Sequence, residues 1–226
     1  MPTWFTRFTT EHYRAKNLRV ARGTRPKCDL HSHDPAWSGN HACMSELGDR
    51  YRRRSEAFDA LITGTAPERW DSPSPVSGWL ARDVVIHVVD FSGEVLRRKA
   101  GVSDVPSFAD FDDPAVAFRT IRQLVQRVLD DPTTAPEIAN YLDLSVSFDL
   151  PQHGWDLAMA TGQDPTIDPA EVELLWSSLS DAPHIWEWQR QNGWYAAPVA
   201  VPTDASLQDR VLGLIGRDPR WTAKTG

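Results

Sequence analysis

An all-α fold is the expectation for this sequence, on three observations. Apolar residues recur at three- and four-residue spacing through long windows, prolines or N-capping side chains open several of these windows, and strand-like alternation is nearly absent. The one stretch read as extended is Ala197-Pro-Val-Ala-Val-Pro202, a short edge strand near the C-terminus.

Composition bounds the function before any motif does. The 226 residues are 41% hydrophobic and 24% charged, enough for one sizeable domain with a packed core. No apolar run approaches the roughly 18 residues of a membrane span, and no apolar signal region opens the chain, so no membrane partner is expected. A net charge of −7 argues against nucleic acid as a partner. Two cysteines, Cys28 and Cys43, do not make a disulfide framework, which fits a reducing cytoplasm.

Charge is unevenly spread. Residues 1–43 carry a surplus of four positive charges, and the remainder a surplus of eleven negative ones. The same segment holds both cysteines and four of the seven histidines (His12, His31, His33, His41), is turn-rich in its second half, and keeps no helical period. Its Cys28-x-x-His31-x-His33 and His41-x-Cys43 spacings match no common zinc pattern. Residues 1–43 are therefore read as a disordered or non-native leader, with Met44 opening a single domain over 44–226.

From Met44, Leu47, Tyr51, Ser55, Phe58 and Ile62 form one helical stripe that stops at Thr63-Gly64. A Pro/Ser-rich loop follows, with Ser77 as the expected N-cap of a second helix over Trp79–Lys99. Its stripe of Leu80, Val84, His87, Val88, Phe91 and Val95 turns His87 inward, and the Arg97-Arg98-Lys99 run suits a helix C-terminus. Pro114, capped by Asp112 or Asp113, opens a third helix that buries Phe118, Ile121, Val125 and Val128.

The fourth helix, Pro136 to about Ala160, has two non-polar or mixed faces. Ile138, Leu142, Ser145, Asp149, Gln152/His153 and Asp156 share one, while Tyr141, Leu144, Phe148, Trp155 and Met159 share the other, so this helix is expected at the centre of the fold. Further on, Asp168-Pro-Ala-Glu caps a helix carrying Val172, Leu175, Trp176 and Leu179. The tryptophans Trp186, Trp188 and Trp194 are read as core closing one end, and a last helix spans Ser206–Ile215. There is no internal repeat, no Gly-rich phosphate loop and no nucleophile elbow.

The chemistry concentrates in the fourth helix. Asp149 and His153 are four residues apart, hence stacked on one face, and a carboxylate with an imidazole makes a competent pair of ligands for a zinc-like ion. His87 is the histidine placed to supply a third donor; alone, it would read as a core histidine with a hydroxyl or carbonyl partner. Two imidazoles and one carboxylate leave an open position, as catalytic zinc sites do. Asp156 reads equally as a group hydrogen-bonded to His153 from outside the site or as a helix-packing carboxylate. Pro151, between the two ligands, would either kink the helix and aim them or restart it near residue 150 and spoil their spacing.

Gly78-Trp79 with Val84-Val-Ile-His87-Val, then Asp149-Leu-Pro-Gln-His153-Gly-Trp-Asp-Leu-Ala-x-Ala-Thr-Gly162, then Pro198-Val-Ala-Val-Pro202 and Gly216-Arg-Asp-Pro219, resemble the DinB-like metal-binding superfamily. The match is to its actinobacterial branch, similar to the metal-binding domain of mycothiol-dependent maleylpyruvate isomerase, and it spans nearly all of residues 44–221. The resemblance implies a four-helix bundle with additional short helices and His87, Asp149 and His153 as metal ligands. It implies a divalent ion, zinc before nickel or iron, and mycothiol or another small thiol acting on an electrophilic substrate; a homodimer is compatible with it. Some relatives carry Glu at the position of Asp149 and a non-proline at Pro151. Three readings are open at this point: a metal-dependent thiol transferase or isomerase, a non-catalytic metal- or thiol-binding sensor or interaction module, and a plain bundle with a buried Asp149–His153 pair.

Overall fold

The computed structural model describes residues 39–181 and 183–223. Its helices are α1 (Gly39–Thr63), α2 (Ala81–Lys99), α3 (Pro114–Asp130), α4 (Pro136–Leu142), α5 (Phe148–Thr161), α6 (Pro169–Asp181), α7 (Pro183–Gln191) and α8 (Leu207–Leu214). A π-helical turn, Asp143–Ser147, joins α4 to α5 into one rod. There is no β-strand among the described residues, only an isolated bridge between Pro73 and Leu80. The fold is the all-α bundle the sequence predicts, consistent with the DinB-like bundle the resemblance implies.

Each long helix forms where periodicity and caps agree. The α1 stripe is buried throughout, from Leu47 to Ile62, and Phe58 meets Phe118 of α3 edge-on at 5.0 Å. Asp113 caps α3 by accepting the Ala115 N–H at 2.8 Å, directly before Pro114. Helices α1 and α2 each lie against both α3 and α5, and the core between them includes Tyr51, Phe58, Val84, Val88, Phe118, Ile121 and Leu150. On the far side of α5, Phe148 and Trp155 pack with Val172, Leu175, Leu179, Trp186, Val211 and Leu212 from α6, α7 and α8. Helix α5 is thus covered on two faces, as its two-faced sequence requires.

Several boundaries differ from expectation. Helix α1 begins at Gly39, five residues before Met44; residues 1–38, with most of the expected leader and its Cys28, His31 and His33, lie outside the described residues. Ser77 is not the cap of α2: the helix starts beyond it, and the Asp83 carboxylate accepts the Leu80 N–H at 2.8 Å. Residues 197–202 are extended but form no strand; Val199 donates a single backbone bond to Gly213 at 2.9 Å. Of the three tryptophans, Trp186 is core, whereas Trp188 and Trp194 face solvent and pack on each other at 5.7 Å.

The π turn explains one further miss. An extra residue in one turn rotates the helix before it by about 100° relative to the helix after it. Leu144 therefore does not share the face of Phe148 and is 61% exposed, while Val146 and Ser147 are buried. Charged groups hold this turn. Arg50 donates to Asp143 at 2.7 Å, and the buried Arg54 donates to Ser147 Oγ at 3.0 Å and to Glu171 of α6 at 2.7 Å. Burial pushes the Asp143 carboxyl up, against the pull of these two arginines.

Arg54 therefore ties α1 to both cores, and removing it leaves Glu171 and Asp143 short of a buried counter-charge. Arg54→Ala is expected to cost about 3–5 kcal/mol, read as a lower urea midpoint with an unchanged slope.

Candidate metal centre

His87 comes from the edge of the α2 stripe, one turn beyond the fully buried Val84, so its ring is neither in the core nor in open solvent. The loop before α2 covers it. Gly78 takes a left-handed φ of +79°, Trp79 donates its N–H to Val76 at 3.0 Å, and Ser74 donates to the Trp79 carbonyl at 2.9 Å. This turn sets the Trp79 ring 5.0 Å from that of His87 and stacks it on that of His153 at 5.9 Å and 17°. Phe91, one turn along α2, stacks on His87 at 5.6 Å.

From α5, Asp149 and His153 meet this wall. The helix runs unbroken through Pro151, and the i,i+4 stacking survives: Asp149 Oδ2 lies 3.3 Å from His153 Nε2 and 3.2 Å from His87 Nε2. The donor atoms of His87, Asp149 and His153 all fall within 4.8 Å of one another, and the two imidazole rings are 4.7 Å apart. Side-chain exposure is 19% for His87, 17% for Asp149 and 7% for His153, so the cluster reaches solvent only from the side of His87 and Asp149.

His153 is held from behind. Its Nδ1 lies 2.9 Å from Asp156 Oδ2, and Asp156 is fully buried. Arg217, beyond α8, reaches the same carboxylate with Nη2 at 2.9 Å from Oδ2 and Nε at 3.3 Å from Oδ1. Burial opposes the charge on Asp156, but Arg217 and His153 outweigh it and hold the carboxyl below its ordinary range. An ionised Asp156 accepts the Nδ1 proton and leaves Nε2 turned towards Asp149.

The same balance sets the other groups. Burial disfavours charge on Asp149, yet the imidazoles of His153 and His87 hold its carboxyl far below the usual carboxylate range. Burial lowers His87, and its bond to Asp149 only partly offsets this, so His87 favours the neutral form a metal requires. His153 is also disfavoured as a cation by burial, but Asp149 and Asp156 raise it to about 9. Tyr195 lies half-buried with its ring 5.1 Å from Trp186; burial first, then the charge of Asp149, keep its phenol protonated.

Two nitrogens and one carboxylate oxygen converging in this way are a donor set for a divalent ion. The structure brings together all three residues singled out in the sequence and sets Asp156 behind His153. Trp79, Arg217 and Tyr195 carry no role in the sequence reading. The Gly78-Trp79 and Gly216-Arg-Asp-Pro219 strings are the only signal for Trp79 and Arg217, neither says what it touches, and Tyr195 has no such signal.

A helical bundle carrying a two-histidine, one-carboxylate cluster between α2 and α5 is the class this geometry defines. The family described as mycothiol maleylpyruvate isomerase N-terminal domain matches residues 51–137, so the resemblance read from the sequence holds over the segment from α1 to α3. His87 falls inside that match; Asp149, His153 and Asp156 lie beyond it. Two relatives in Mycobacterium tuberculosis, the uncharacterized proteins MT0763 (strain CDC 1551 / Oshkosh) and Rv0738 (strain ATCC 25618 / H37Rv), are each 27% identical over 190 residues, covering 75% of this chain and 97% of their own length. No solved structure matches the chain. No helix among the described residues is long and apolar enough to cross a membrane.

The raised pKa of His153 has a measurable sign. In protein stripped of divalent ions, the stability it contributes is fully present below its ordinary value of 6.5 and is lost as pH rises through about 9. Urea midpoints of the stripped protein are expected to fall across that window by the equivalent of roughly 3 kcal/mol at most. His153→Gln is expected to flatten the decline.

Proposed function

We propose that the protein binds a divalent ion through His87, Asp149 and His153 and uses the site to activate a low-molecular-weight thiol, as a transferase or isomerase acting on a small electrophile. The observation that carries this reading is the placing of Asp149 Oδ2 at 3.2 and 3.3 Å from the two Nε2 atoms. Donors about 2.0–2.1 Å from a tetrahedral zinc stand about 3.3–3.4 Å apart, so these separations fit one ion shared among them. Zinc is the ion favoured by this mixed set, and nickel or iron takes the same donors.

A bound ion of this kind lowers the pKa of a coordinated thiol or water, producing a nucleophile at neutral pH. The chain's own residues prepare that step. One carboxylate and two neutral imidazoles leave a net positive centre that suits a thiolate. Trp79 and Phe91 wall the imidazoles with apolar surface, limiting water to the side from which a thiol would enter. Mycothiol is the thiol put forward because the matched family is described by it, and mycothiol use fits a cytoplasmic protein.

One observation favours a second reading, a non-catalytic metal- or thiol-binding sensor or interaction module. Asp149 is shared by two imidazoles and Asp156 is committed to His153 and Arg217, so neither carboxylate is spare for general acid or base work.

Protein loaded with zinc and dialysed is expected to retain one ion per chain by elemental analysis, and His87→Ala and His153→Ala to lose it. A wild-type chain that retains none overturns both readings. With the ion in place, thiol consumption is to be followed with mycothiol and a panel of small electrophiles. Turnover abolished in His153→Ala supports the enzyme, and mycothiol binding without turnover supports the sensor.

A further inference from the structure

The geometry points to Arg217 as a positioning residue for the metal centre: its guanidinium fixes the Asp156 carboxylate, which in turn holds His153 with Nε2 facing the shared donor point. This inference rests on the metal reading above.

The case is built from the tail after α8. Gly216 adopts a left-handed φ of +82°, and a Cβ there would meet Ala196 Cβ at 2.7 Å and its carbonyl oxygen at 2.9 Å, so the chain turns only with glycine at this point. That turn lets Arg217 donate its backbone N–H to Leu212 at 2.9 Å and a side-chain Nη1 to Ile215 at 3.2 Å. The guanidinium is thereby anchored before it reaches Asp156, 61 residues earlier in the chain. Its Nη2 and Nε engage both carboxylate oxygens, a two-point grip that sets the plane of the carboxylate as well as its place.

The consequence falls on His153. Asp156 Oδ2 receives the Arg217 Nη2 and the His153 Nδ1 together, each at 2.9 Å, so the oxygen facing the imidazole is the one the arginine holds. Asp156 has no exposed surface, so water does not readily replace a lost donor. Without the guanidinium the carboxylate is free to rotate about its last bond, and the imidazole loses the contact that fixes its orientation. Groups that hold a ligating histidine in this manner typically change metal affinity by about 10–100-fold when removed. Arg217 acts one residue further out and is expected within the same range.

The test uses the full chain and zinc alone. Zinc affinity is measured by competition with a chromophoric chelator for wild type, Arg217→Met, Arg217→Lys, Asp156→Asn and the Asp156→Asn/Arg217→Met double variant. In parallel, exchange of the His153 Nδ1 proton is followed by NMR on 15N-labelled, metal-free protein. Arg217→Met is expected to bind zinc about 10–100-fold more weakly and to lose protection of that proton, with Arg217→Lys between it and wild type. The double variant is expected to match Asp156→Asn, because the arginine acts through the carboxylate. Wild-type zinc affinity in Arg217→Met, or fully additive losses in the double variant, overturns the inference. If wild type binds no zinc, the metal reading fails, and retained proton protection in Arg217→Met then overturns the positioning role separately. Should Arg217→Met not fold, Arg217→Lys is read in its place, and wild-type values for both measurements overturn the proposal.

Discussion

Helix α5 carries Asp149, His153 and Asp156 on successive turns between two apolar cores, where burial strips away most of their hydration and all of that of Asp156. Stripping a charge of its hydration costs several kcal/mol unless another group replaces it. Each of these side chains has such a replacement: imidazoles for Asp149, two carboxylates for His153, a guanidinium for Asp156. Two of the replacements come from outside the helix, His87 from α2 and Arg217 from the tail after α8, so satisfying one helix fixes where both must lie. The bundle and the smaller C-terminal layer are joined at this helix by charge pairing as well as by packing.

The π turn belongs to the same constraint. It sits immediately before the charged stretch, and its own buried polar groups, Asp143 and Ser147, are met by Arg50 and Arg54 of α1. Pro151 comes one turn later without breaking the helix. A helix that widens by one residue ahead of a proline already departs from regular bonding there, and on either side of it Ser145 Oγ donates to the Tyr141 carbonyl at 2.5 Å and Gln152 Nε2 to the Phe148 carbonyl at 3.2 Å.

Much of this was legible in the sequence. The stripe from Leu47 to Ile62, the Asp113-Pro114 start, and the two-sided character of α5 arise from periodicity and capping, which are local. The pairing of Asp149 with His153 is likewise a matter of spacing, and His87 was picked out by its place on an apolar stripe. What was not legible is set by contacts distant in the chain. The exposure of Leu144 depends on a π turn that no pattern announces. The roles of Arg217 and Trp79 depend on one turn at Gly216 and another at Gly78, each aiming a side chain across the fold. Ser77 is a good capping residue by type, and Asp83 caps instead because the loop bonds of Ser74 and Trp79 delay the helix.

The tail after α8 bears on the order in which the molecule becomes complete. A chain leaves the ribosome from its N-terminus, and its domains organise as they emerge. His87, Asp149 and His153 are all synthesised well before Arg217, whose partner Asp156 lies 61 residues upstream. Until that arginine arrives, a carboxylate destined for the interior has no cation, and burying it is unfavourable. The last buried charge of α5 is thus matched by a late-translated stretch, since Asp156 acquires its cation only once Arg217 has been made.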